Sequence, residues 1–208
     1  GIFCAQFFGC GDQKGVRHTF RFKLYICLLL LLSGVLILAV FGKNLILMYL
    51  HGEGQESSLT AALQYGQEYL WIMLVGLLPF VMEQIYTGTL RECGETMVPM
   101  KAGVIAVLVN LALNWLLIFG SLGFPKLGVA GAAIATVISR YVQAAIVMIW
   151  THRHSERMPF IAGVYKSIGI PGGLVGNILR KGTPLMINEV LWSAGMAMLM
   201  QCYSVRGL

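Results

Sequence analysis

Within the stretch VLVNLALNWLLIFG, residues 107–120, Asn110 and Asn114 interrupt a run otherwise fit for hydrocarbon. A separation of four puts both carboxamides on one side of a helix. An amide that no partner satisfies in a bilayer costs kilocalories, so that side must meet something polar. One reading is glue between helices, in which the amides bond a neighbour. The other is an ion or proton site built from amide and hydroxyl oxygens, which are hard ligands. Thr136, in the next apolar run, offers a hydroxyl to the same cavity or bonds the preceding carbonyl of its own helix.

Three carboxylates fall in or near apolar runs. Glu189 stands about one and a half turns into TPLMINEVLWSAGMAMLM, where an ionised side chain is costly. It must face a cavity, be paired, be protonated, or lie near enough to the interface to stay wet. Asn188 and Trp192 flank it, and an indole one turn away can stack against a flat organic cation. Glu83, in PFVMEQIYTG, is either a site residue or a carboxylate paired along its helix with Arg91; Glu68 reads as interfacial. His152 and His154 sit two apart and point away from each other on a helix. No phosphate-cradling loop and no Ser/His/Asp set is present, so nothing supports ATP hydrolysis or an intramembrane protease.

The elements that position these residues follow from composition. The 208 residues are 57% hydrophobic and only 12% charged, well below the charge of a soluble domain. The apolar runs are long enough to cross a bilayer. The net charge of +6 is confined to short loops between those runs, a pattern of membrane topology rather than of nucleic-acid binding. GIFCAQFFGCGDQKG reads as the last turns of a helix that ends at Gly11-Asp12, in a chain cut from a longer one. Spans are expected over 24–50, 65–90 (with Pro79 inside), 102–124, 127–150 and 184–205, with Pro184 in a first helical turn. The stretch CGDQKGVRHTFRFK is expected as a cytoplasmic loop. On its side lie eleven Lys and Arg residues against three on the other, with Arg140 assigned to neither. Residues 151–183 form the one long connection, and GLVGNILRKG within it reads as a short helix lying along the cytoplasmic face. Gly128, Ala132 and Ala135, with Gly131 on the flanking row, give the small spacing that lets helices approach, and the tight turn before them makes antiparallel neighbours of the two helices. Cys4, Cys10, Cys27, Cys93 and Cys202 show no metal or CxxC spacing and read as packing.

The stretches RECGETMVPMKAG, NLALNWLLIFGSLGFPKLGVAGAAIATVISR and KGTPLMINEVLWSAG, in that order, resemble MATE (multidrug and toxic compound extrusion) transporters. The resemblance runs along essentially the whole chain, and the middle stretch is its most specific part. It implies an all-α polytopic membrane protein: about five full spans plus a truncated one, half of a twelve-helix, two-lobe transporter. Residues 1–150 would be N-lobe helices, from the end of helix 2 to helix 6. Residues 151–183 would be the cytoplasmic interlobe linker and 184–208 the first helix of the C-lobe.

The resemblance further implies a secondary active exporter in the plasma membrane, exchanging small organic, often cationic, compounds for Na⁺ or H⁺. It implies no other cofactor and no enzymatic reaction. Asn110, Asn114 and Thr136 fall on the family's N-lobe cation site and Glu189 on an acidic C-lobe position; Glu83, Asn188 and Trp192 are expected at the substrate cavity. Two asparagines stand where some relatives have asparagine and aspartate, which leaves Na⁺ and H⁺ both open. A lipid-linked oligosaccharide flippase of the same superfamily shares the architecture and calls for a large cationic cavity. A membrane transferase would need an acidic pair or His set at the membrane surface, and a non-transporting membrane subunit would have no use for polar side chains at membrane depth.

Overall fold

A computed structural model of the protein describes residues 1–49, 56–120, 127–166 and 169–205. Most of the expected loop HGEGQESS and of the turn GSLGFPKLG lies outside them. Six α-helices are seen among the described residues: α1 (Ile2–Gly9), α2 (Gln13–Tyr49), α3 (Glu56–Glu92), α4 (Met97–Phe119), α5 (Gly128–Arg153) and α6 (Gly172–Val205). Two 3₁₀ turns, Pro159–Ile161 and Val164–Lys166, lie between α5 and α6.

The turn from α1 to α2 has a local cause. Gly11 takes φ +73°, which an L side chain resists. The Asp12 carboxylate then accepts the backbone N–H groups of Lys14 and Gly15 at 3.1 and 3.0 Å, capping α2 at its start. The helix end expected at Gly11-Asp12 is therefore present, but the loop expected after it is not. CGDQKGVRHTFRFK is helical from Gln13 and continuous with the apolar run that follows. Arg17, Arg21 and Lys23 are taken up by tertiary contacts, whereas Lys14 stays exposed.

Helices α2, α3, α4 and α5 are long and apolar enough to cross a membrane. Helix α6 is not among them; from its middle onward it carries Asn188, Glu189 and Gln201. Nor does α6 divide at Pro184. One helix of 34 residues contains Pro184 in its interior, so the expected short surface helix and the expected span are continuous. Residues 172–183 are helical in their own right, and proline here removes one backbone bond without ending the helix.

Helix α5 is central. Gly76 meets Val137, Phe80 meets Arg140 and Glu83 meets Gln143, an ascending order that makes α3 and α5 parallel. Leu117 meets Gly131, Asn110 meets Thr136 and Ser139, and Gly103 approaches Gln143, a descending order that makes α4 and α5 antiparallel, as expected. The closest approach falls one row away from the expected stripe. Gly128 is exposed, whereas Gly131 is buried, and a Cβ there would stand 2.8 Å from the Leu117 carbonyl oxygen. Backbone cannot yield as a flexible side chain can, so Gly131→Ala is expected to cost about 1–3 kcal/mol by overpacking. Thermal unfolding in detergent, compared with Gly34→Ala, where a Cβ would meet nothing within 4 Å, checks it; equal midpoints for the two variants would contradict the tight crossing.

The buried core lies at one end of the bundle. Val16 and Phe20 of α2, Ile85, Tyr86 and Leu90 of α3, and Ala102 of α4 pack with Val147 of α5. Met158, Phe160, Ile161 and Val164, from the segment after α5, complete it. Phe20 meets Tyr86 edge-on at 5.1 Å between centroids and Phe160 at 5.6 Å, spacings at which aromatic rings attract. The connection between α5 and α6 is thus built into the bundle. Arg17 donates to the carbonyls of Pro159 and Phe160 at 3.2 and 3.0 Å. Arg21, one turn on, donates to Gly163, Val164 and Gly169 at 2.8, 2.7 and 3.4 Å.

Candidate functional site

Between α4 and α5 lies a cleft of about 430 Å³ lined by Gly103, Ala106, Val107, Asn110, Thr136, Ser139, Arg140 and Gln143. Its α4 wall is open because Gly103 and Ala106 are small. Its α5 wall is polar because Thr136, Ser139, Arg140 and Gln143 recur at helical spacing along one face.

Asn110 Nδ2 donates across the helix pair to Thr136 Oγ1 and Ser139 Oγ, each at 3.4 Å. Those hydroxyls spend their own protons at home: Thr136 on the Ala132 carbonyl at 2.9 Å and Ser139 on the Thr136 carbonyl at 2.8 Å. They therefore meet Asn110 as acceptors. Asn114 Nδ2 in turn donates to Asn110 Oδ1 at 2.9 Å. Asn114 Oδ1 is buried and has no hydrogen-bond partner among the described residues. A buried carbonyl oxygen in that condition carries a desolvation cost that a cation or a proton donor would relieve.

The glue reading of Asn110 is present in the geometry. Asn110 also lines the cleft, and its bonds to the neighbour helix, at 3.4 Å, are longer than the usual range. Asn114 stands one turn further along with an unused lone pair.

Glu83 lies behind the α5 wall, 2% exposed. It is held by neutral donors: Thr87 Oγ1 at 2.6 Å, Gln143 Nε2 at 3.2 Å and Gln84 Nε2 at 3.1 Å. Arg91, the sequence partner considered for it, is exposed a further two turns along. Gln143 links Glu83 to the cleft that it also lines. Asn188, Glu189 and Trp192 are not brought to this place. They are exposed on α6, which packs on α2.

Of the polar cleft residues, Ser139 and Gln143 were passed over in the sequence, and Arg140 was noted only as a cation within an apolar run. Their signal was present as the spacing of 136, 139, 140 and 143, which is one helix face. Arg140 places its guanidinium over the Phe80 ring, 4.9 Å from the centroid, an attractive arrangement for a cation in a poorly solvated setting.

A family model described as MatE matches residues 1–116, from α1 through Asn110 and Asn114 on α4. The chain belongs to the MatE family. The MatE assignment agrees with similarity along nearly all of the chain. "Probable multidrug resistance protein NorM" of Thermotoga maritima is 30% identical, covering 98% of this chain and 41% of that protein. "Probable multidrug resistance protein YoeA" of Bacillus subtilis is 30% identical over 88% of this chain and 39% of its own. A NorM-named protein of Bacillus licheniformis is 28% identical over 87% and 38%. The chain thus spans about two fifths of the length of these MatE relatives. No solved structure gives a significant match. With four helices able to cross a bilayer, this MatE chain is part of a multi-pass membrane protein.

Proposed function

We propose that the full-length protein is a secondary active exporter of small organic compounds, driven by Na⁺ or H⁺ and resident in the plasma membrane. The coupling cation is held in the N-lobe by Asn114, Asn110 and Thr136. The observation that carries this reading is the polar string from Asn114 through Asn110 to Thr136 and Ser139, which ends in the unpaired, buried Oδ1 of Asn114. Relatives named as probable multidrug resistance proteins support it.

Neutral oxygens with unused lone pairs suit a weakly held cation, which must leave as readily as it enters. Exchange follows if the cation and the organic compound stabilise different members of an inward- and outward-facing pair. Glu189, with Asn188 and Trp192, would serve the C-lobe side of the cavity, on a helix that carries its polar residues outward from the α2–α5 bundle. The flippase alternative calls for a large cationic cavity, whereas the cleft measures about 430 Å³ and offers one cation, Arg140.

In cells expressing the full-length protein, Asn114→Ala is expected to leave membrane insertion intact and to abolish ion-coupled dye efflux. Efflux is followed with Na⁺ replaced and, separately, with the proton gradient collapsed. Wild-type efflux and unchanged ion dependence in Asn114→Ala would return the asparagines to a purely structural role.

A further inference from the structure

The cleft's supply of donors says what it holds. Thr136 and Ser139 give their protons to backbone, Asn110 gives its own to those hydroxyls, and Gln143 gives one to Glu83. What remains to donate is the second N–H of Gln143 and the planar fork of Arg140. Among the described residues, ion pairs within 4.0 Å form at Glu92, with Lys23 and the Gly1 amino group, and not at Arg140. Glu83, the one carboxylate nearby on α3, is occupied by Thr87, Gln84 and Gln143.

Arg140 and Thr136 also line a second cavity, of about 190 Å³, whose other walls include Met73, Leu77 and Phe80. A guanidinium therefore stands at the junction of a polar cleft and an apolar pocket.

We propose that this junction is a binding site for an apolar organic carboxylate, its acid forked on Arg140 and assisted by Gln143, its apolar body against Met73, Leu77 and Phe80. The fork geometry of arginine matches the two oxygens of a carboxylate, and the combined space is in the range of small-molecule sites. This deepens the exporter reading and rests on it, because it assigns carboxylate-bearing compounds to the substrate range. A cation near Asn114 and a carboxylate on Arg140 attract one another, so exchange requires that different conformations retain them.

The test uses the full-length protein in phosphatidylcholine nanodiscs and two fluorescent probes of one shape, dansylglycine and neutral dansylglycinamide. Dansylglycine is expected to bind about tenfold tighter or more, the worth of charge-assisted bonds to a poorly solvated guanidinium. Arg140→Gln is expected to bring the two within about twofold of each other, with Arg140→Lys intermediate because it keeps the charge and loses the fork. Equal wild-type affinities, no saturable dansylglycine binding, or a preference that survives Arg140→Gln would each overturn the proposal. If Arg140→Gln does not fold, the wild-type ratio decides alone. Dansylglycine binding that falls in step with added phosphatidylglycerol would assign the fork to a lipid phosphate and overturn a small-molecule site. Dye efflux is scored separately: loss of ion-driven efflux with the probe ratio intact defeats the exporter reading, and the reverse defeats this one.

Discussion

Phe160→Ala is expected to lower stability by about 3–5 kcal/mol, the largest effect of any single truncation considered for this chain. Phe160 is 1% exposed and meets the Phe20 ring at 5.6 Å. Its loss leaves a hole between Phe20, Met158 and Val164 that main chain pinned by Arg17 and Arg21 cannot close. Phe160→Leu keeps most of the volume and should cost about 1 kcal/mol. Thermal unfolding in a mild detergent measures both. A midpoint for Phe160→Ala indistinguishable from wild type would mean that the segment after α5 is not part of the core.

Arg21→Ala should follow at about 3 kcal/mol. Arg21 is 5% exposed and serves three carbonyls, two of them at 2.7 and 2.8 Å. Removing it leaves the Val164 carbonyl without a partner among the described residues, and leaves the Gly163 carbonyl only the Lys166 N–H at 3.2 Å; a desolvated carbonyl that loses its donor carries its own penalty. Lysine holds the charge at a point and cannot reach three carbonyls as a planar fork does, so Arg21→Lys should recover less than half of the loss. Arg17→Ala should be milder, since Arg17 is only half-buried and makes two bonds. The readout is the rate of limited proteolysis by trypsin at Arg157 and Lys166 alongside the unfolding midpoint. Cleavage at the wild-type rate in Arg21→Ala would show that the arginine does not hold this segment.

Local pattern carried much of the fold. Apolar length announced α2 to α5, and the Gly11-Asp12 pair announced the end of α1, because both signals act within a few residues. The spacing of Asn110 and Asn114 placed them on one face, and the structure brings Thr136 to Asn110. The role of Arg140 was harder to see because a single cation in an apolar run looks like an exception until Thr136, Ser139 and Gln143 are counted on its face. The segment 158–166 was not legible as core. Its partners on α2 lie some 140 residues away, and no local period encodes such a contact. Pro184 misled for a related reason: a proline suits a first turn, but the helix that precedes it was read as a separate piece.

Helix α2 has 37 residues, about 55 Å at the helical rise, against a hydrocarbon layer of about 30 Å. The excess must stand outside the bilayer, and its Gln13–Lys23 end, about 16 Å long, carries the basic residues. That end is a stalk, and the carbonyls of Pro159, Phe160, Gly163, Val164 and Gly169 are fastened to its flank by two guanidinium groups. A change in the tilt of α2 would therefore have to carry those carbonyls with it or break the five bonds that hold them.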